Sequence, residues 1–163
     1  MGNKSIVKDL NGNGMKNDIT SYQIFVDGSC RANKNGGIGV VWLRNGEKVY
    51  EYSKGYKNVT NNIMELLAIY VALASIKKEI DSLEIISDSE YALGCTFNLE
   101  WKPKKNIELV NKIRRQVIKT QQLIKNPIKF RHIRGHQKID SDDARWNNQC
   151  DWLAQTSSIG ITI

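Results

Sequence analysis

The sequence contains no apolar run approaching the ~18 residues that a transmembrane helix requires, so a membrane partner is not expected. The first residues, MGNKSIVKDLNGNGMKN, lack an apolar h-region and a small-residue cleavage site, which argues against secretion. They also carry Ile6 where a myristoylation signal has Ser or Thr. Cysteine is scarce: Cys30, Cys95 and Cys150 stand far apart, with no CxxC pair and no Cys/His cluster at zinc spacing. An odd number of scattered thiols fits a reducing compartment, so a cytoplasmic chain is expected, and Cys95 reads as a small buried hydrophobe. Internal repeats and low-complexity segments are also missing.

What is present is one domain's worth of ordinary globular composition. The chain has 163 residues, 40% apolar and 25% charged, enough for a single packed core and too few for two. Its net charge of +7 is unevenly spread. Between Lys102 and Lys138 stand twelve Lys or Arg and one acid, Glu108, so this stretch carries +11 and the remainder −4. A basic third on a mildly acidic body suggests a polyanion-binding face, although a solvated basic helix would look the same.

Residues 1–20, rich in Asn and Gly, read as a poorly ordered tail, and residues 21–158 as the folded domain. Alternation predicts strands over 22–26, 38–43 and 49–53. Asp27-Gly28-Ser29 ends the first, Gly36-Gly37 marks a turn, and Asn45-Gly46 makes a hairpin of the second and third. Thr60-Asn61-Asn62 caps a largely buried helix over 63–78. A short strand over 83–86 leads through Ser87-Asp88-Ser89 into a short helix ending near Phe97. A helix over 107–124 carries a core stripe (Val110, Ile113, Val117, Ile124) and a basic stripe (Lys112, Arg115, Lys119). A strand over 128–133, a polar loop and a helix over 146–154 complete an α/β fold, a mixed sheet with helices on its faces.

Four acids stand out. Asp27 and Asp88 end apolar strands, Glu65 lies one turn into an apolar helix, and Asp151 lies between Cys150 and Trp152-Leu153. Strand ends and helix starts are where sites form in α/β folds. Carboxylates gathered there repel one another unless a cation joins them, and hard oxygen ligands select Mg²⁺ or Mn²⁺ over zinc. Taken singly, Asp27 and Asp88 read equally well as turn or cap residues, Glu65 as a capping-box partner of Asn62, and Asp151 as a helix-dipole residue. All four in this element order are harder to explain that way.

Asp27-Gly28-Ser29-Cys30, Thr60-Asn61-Asn62-x-Met64-Glu65-Leu66, Ser87-Asp88-Ser89, Gly135-His136 and Asn147-x-x-Cys150-Asp151-x-Leu153-Ala154 together resemble the ribonuclease H family of the type 1 cellular and retroviral kind. The likeness spans about 22–154. It implies a ribonuclease H-like fold: a five-stranded mixed sheet, three antiparallel strands then two parallel, with helices on both faces. It also implies hydrolysis of the RNA strand of RNA/DNA hybrids with two divalent ions, Mg²⁺ with Mn²⁺ able to substitute, leaving 5′-phosphate and 3′-hydroxyl ends. By the same resemblance Asp27 bridges both ions, Glu65 and Asp88 complete one site, Asp151 completes the other, and His136 assists proton transfer or product release. Gly28, Ser29, Cys30, Asn33, Asn61 and Asn62 fall where the minor groove and its 2′-hydroxyls are read, with Glu65 also touching a 2′-hydroxyl. Thr60 and Asn106 match a pocket for a DNA-strand phosphate, and the basic stripe adds salt-sensitive attraction. His132, inside the last strand, is expected to be structural.

The sequence departs from the family pattern in three places. Glu90 stands where many members place a groove-contacting Gln, so that contact is lost or altered, and Asn148 stands where an acid is frequent. The 18 positions from Asp88 to Asn106 leave no room for the basic, Trp-bearing handle of many bacterial members, so weaker hybrid binding is expected, partly offset by Lys102, Lys104 and Lys105. The tail is too short for a separate hybrid-binding domain. Two other readings share the fold: a non-catalytic nucleic-acid-binding module, and an integrase- or resolvase-type nuclease. The intact acid set argues against the first, and the asparagine pair with the Asp-Gly-Ser-Cys turn argues against the second. A monomer is expected, because no unexplained exposed apolar face stands out.

Overall fold

The computed structural model describes residues 19–138 and 140–160. Residues 1–18 of the expected tail, and 161–163 at the other end, lie outside the described residues. Thr20, assigned to the tail, is anchored: its N–H donates to Asp81 Oδ2 at 2.7 Å and its carbonyl accepts from Asp81 N at 2.9 Å. The elements are β1 (Ser21–Cys30), β2 (Gly36–Arg44), β3 (Glu47–Tyr56), α1 (Asn61–Ala74), β4 (Ser82–Ser87), α2 (Glu90–Phe97), α3 (Ile107–Gln121), β5 (Lys129–His132) and α4 (Asp142–Gly160). No helix among the described residues is long and apolar enough to cross a membrane.

The strands form one sheet in the order β3-β2-β1-β4-β5. The first three strands are antiparallel, and β4 and β5 join parallel. The hairpin turn at Asn45 and Gly46 has positive φ at both residues, 50° and 86°, the backbone that an Asn-Gly pair tolerates best. Alternate residues of β1 serve opposite faces. Ile24 and Val26 join the main core with Met64, Leu66, Ile69 and Leu73 of α1 and Val110 and Ile113 of α3. Phe25 points the other way and packs with Val41, Leu43 and Ile86 beneath Cys150 and Leu153 of α4.

Several boundaries differ from the sequence expectations. The strand β1 does not end at Asp27-Gly28-Ser29, because its pairing with β2 continues through Cys30 opposite Gly36. Gly36 and Gly37 therefore lie within β2, and the turn is made by the preceding residues, with Arg31 N donating to Asn35 O at 2.8 Å. Helix α1 stops at Ala74, since the Ser75 hydroxyl donates back to the Ala72 carbonyl and accepts from Trp42 Nε1. Helix α4 starts at Asp142, earlier than expected: Ser141 Oγ accepts from Ala144 N at 3.2 Å, and Asp142 and Asp143 favour the helix N-terminus. It also runs past residue 158.

Two glycines set how closely the helices approach. A Cβ on Gly28 would lie 2.4 Å from Glu65 N, so α1 rests directly on β1. A Cβ on Gly39 would lie 2.1 Å from the Cys150 carbonyl oxygen, so α4 rests directly on β2. Both helices carry an acid past the sheet at these crossings.

Candidate active site

The parallel pairing of β1 with β4 ends at Val26 opposite Ser87, and that of β4 with β5 at Ser87 opposite His132. Asp27 and Asp88 are the first residues beyond these last pairs, side by side at the carboxyl ends of the parallel strands, where α/β sheets open a crevice. Past Asp88, Ser89 caps α2 by accepting from Ala92 N at 3.0 Å. Glu65 reaches the same point from α1, whose N-terminus is set by Thr60 Oγ1 accepting from Ile63 N at 3.2 Å. One carboxylate oxygen from each of Asp27, Glu65 and Asp88 can be chosen so that all lie within 4.8 Å of one another. Asp151 lines the same crevice from α4 but stands outside this triad, its Oδ2 accepting from Gln155 Nε2 at 2.9 Å.

The triad is buried as well as crowded. Asp27 is 3% exposed and Glu65 5%. Burial pushes the Asp27 carboxyl well above the usual carboxylate range, and the charges of Glu65 and Asp88 push it further. Burial likewise raises Glu65 to about 8, against a partly offsetting hydrogen bond with Asp27. Glu65 Oε2 is buried with no hydrogen-bond partner, alone in this among the described side chains. An acid held above its normal pKa by burial and like charge needs either a proton or a cation. Three clustered carboxylates with an orphan oxygen fit a hard divalent cation. Of the nearest thiol, Cys150, nothing is left for a metal: it is fully buried and donates to the Phe25 carbonyl at 3.1 Å.

A sequence model of the RNase H family matches residues 19–159. The chain belongs to this family, a family of endoribonuclease hydrolases. A Clostridium botulinum ribonuclease H is 36% identical over 149 residues, covering 80% of this chain and 91% of that protein. An Escherichia coli ribonuclease H is 31% identical over 161 residues, covering 89% and 94%. In fold, the chain matches LC11-RNase H1, isolated from compost by a metagenomic approach, with a TM-score of 0.70 at 24% identity, over 88% of this chain and 99% of that one.

Of the other residues that the family pattern singles out, Gly28, Ser29, Asn61 and His136 line the crevice with the acids. His136 is exposed, with a left-handed backbone (φ 55°). The rest stand outside the crevice lining. Cys30 Sγ donates to the Val59 carbonyl at 3.2 Å, and Asn33 Oδ1 accepts from Asn35 N. Thr60 caps α1, and Asn62 is exposed in its first turn. Asn106, at φ 58°, precedes α3 and donates to the Tyr91 hydroxyl at 3.2 Å, beside a groove shared by Ile63, Lys104 and Lys105. Glu90 is exposed at the start of α2, its carboxylate 3.9 Å from His132 Nδ1. Residues 98–106 between α2 and α3 contain no helix, so the handle is absent. Ser89 and Gly135, which the sequence motifs contain without a site role, also line the crevice, as does Gln155, which sequence reasoning missed. Gln155 had a readable signal, since it stands one helical turn after Asp151. His132, expected to be only structural, lies with Nε2 3.2 Å from the Asp88 carbonyl.

Proposed function

We propose that the chain hydrolyses the RNA strand of RNA/DNA hybrid duplexes, leaving 5′-phosphate and 3′-hydroxyl ends. The observation that carries this reading is the buried, crowded triad Asp27, Glu65 and Asp88, with an unpartnered Glu65 oxygen, at the mouth of a parallel strand pair in an RNase H-family fold. Asp27, Glu65 and Asp88 would hold one Mg²⁺, and Asp27 with Asp151 a second, with Mn²⁺ able to replace either. Bound there, the cations supply Lewis acidity and charge neutralisation for phosphodiester hydrolysis.

The chain's own residues bind and orient. Cys30, Asn33, Asn61 and Asn62, with the backbone of Gly28 and Ser29, face the minor groove and read 2′-hydroxyls, the group that distinguishes RNA from DNA. Glu90 adds an altered groove contact. Thr60 and Asn106 grip a DNA-strand phosphate, and exposed Lys112, Arg115 and Lys119 draw in the duplex without regard to sequence. His136, at the rim of the crevice, carries a proton during turnover or helps the product leave. The working unit is residues 21–158, monomeric and cytoplasmic.

The test is cleavage of a labelled RNA strand offered as hybrid, as double-stranded RNA and as single strand, with Mg²⁺ or Mn²⁺ and with chelator. Metal-dependent cutting of the hybrid alone supports the proposal. Folded protein that binds the hybrid without cutting it, with either metal, would make the chain a binding module instead.

A further inference from the structure

The segment that carries His136 leaves β5 and must return to α4 across the crevice. Its first part is held to the sheet: Ile133 N donates to Ser87 O at 3.0 Å, and Gly135 sits so close to Asp88 that a Cβ would lie 2.6 Å from Asp88 Oδ2. Its far end is held by Arg131, whose guanidinium makes a two-pronged pair with Asp143 in the first turn of α4. Between these anchors, among the described residues, one tertiary hydrogen bond reaches residues 134–138: Asn148 Nδ2 donates to the Gln137 carbonyl at 3.2 Å. It falls on the carbonyl of the residue that follows His136. Asn148 lies three and seven residues before Asp151 and Gln155, so all three share one face of α4, the face turned to the crevice.

We infer that Asn148 is a positioning residue for His136. This rests on the reading of the site given above and adds to it how the histidine is kept at the rim. The left-handed backbone at His136 is costly for a residue with a Cβ and persists only when its surroundings hold it. The Asn148 amide supplies that hold from the same helix face that presents Asp151, so the histidine and the acid share one rigid mount. The bond needs a donor at position 148. An aspartate of nearly the same shape has no hydrogen to give and sets a negative charge against the Gln137 carbonyl.

The chain contains only two histidines, His132 and His136, so ring-proton NMR shows two histidine signals, assigned with His136→Ala. Asn148→Asp is expected to shift or broaden the His136 signal while leaving His132 in place. On hybrid substrate it should lower kcat about two- to tenfold, the scale of one exposed hydrogen bond, with KM unchanged. In a His136→Ala background it should cost nothing further. An unmoved His136 signal, an unchanged kcat, or a loss that multiplies with that of His136→Ala would each overturn the inference. The NMR result stands whether or not the wild type cleaves hybrid; a wild type that does not cleave would instead strike the proposed function.

Discussion

Asp27 and Glu65 make the metal-free protein sensitive to pH in a direction opposite to that of most acids. A carboxyl whose pKa is higher in the folded state binds protons more tightly there, so its contribution to stability is complete below its unfolded value and is lost as pH rises through the folded one. For Glu65 that window runs from 4.5 to about 8. In chelator, the melting temperature should therefore fall between those limits, and Mg²⁺ should raise it more at pH 8 than at pH 5, as thermal melts at the two pH values would reveal. Replacing Asp27 by Asn removes one of the crowded charges. Asp27→Asn should abolish cleavage, keep hybrid affinity within a few-fold, and melt above the wild type at pH 8 in chelator; a variant that still cleaved at the wild-type rate would dissociate Asp27 from the metal assignment.

At the scale of elements, the helices reach the site only because two strand residues lack side chains. Adding a methyl at Gly39 would push α4 off β2, since its neighbours are the Cys150 carbonyl and the Ala154 amide, which are backbone and cannot swing aside. Gly39→Ala should cost about 3 kcal/mol, read as a lower urea midpoint with unchanged slope, and should reduce cleavage by displacing Asp151. These glycines mark the limit of what the sequence revealed. Strand alternation, the Asn-Gly hairpin and the Thr60 cap were legible because each is a local signal. Gly36 and Gly37 read as a turn because their reasons for being glycine are not local: Gly36 meets Val59 and Met64, and Gly37 meets α4 at Ala154 and Ser158, over a hundred positions later. The start of α4 was hidden for a related reason: Ser141, Asp142 and Asp143 are good N-terminal residues, but the polar stretch gives no apolar period. The four acids were legible as a set through motif order. That three form a tight triad while Asp151 stands apart, bonded to Gln155, follows from packing that no spacing encodes.

The whole molecule separates its charges. Asp27, Glu65, Asp88 and Asp151 share one crevice, while Lys112, Arg115 and Lys119 lie exposed along α3 and Lys104 and Lys105 border the groove at its start. Hybrid affinity should fall steeply with salt, and each of the three α3 cations replaced by Ala should flatten the slope of log K against log salt by about 1 if it meets a phosphate. An affinity indifferent to salt would mean that this face does not carry the duplex. Lys112 has a second attachment, its ammonium lying 4.6 Å from the Tyr70 ring centre, so Lys112→Ala should also cost a little stability where Arg115→Ala does not.

Helix α4 comes after every other described element in the chain, and it is the one that covers Phe25, Val41, Leu43 and Ile86. During synthesis, a chain that has emerged only as far as β5 has its sheet assembled on one side and bare on the other, with three acids in place and the fourth still inside the ribosome. Such a chain is both sticky and incomplete. Closure of the apolar face and arrival of Asp151 are therefore one event, so a protein truncated or stalled before residue 142 should be recovered in aggregates rather than as a partly working nuclease.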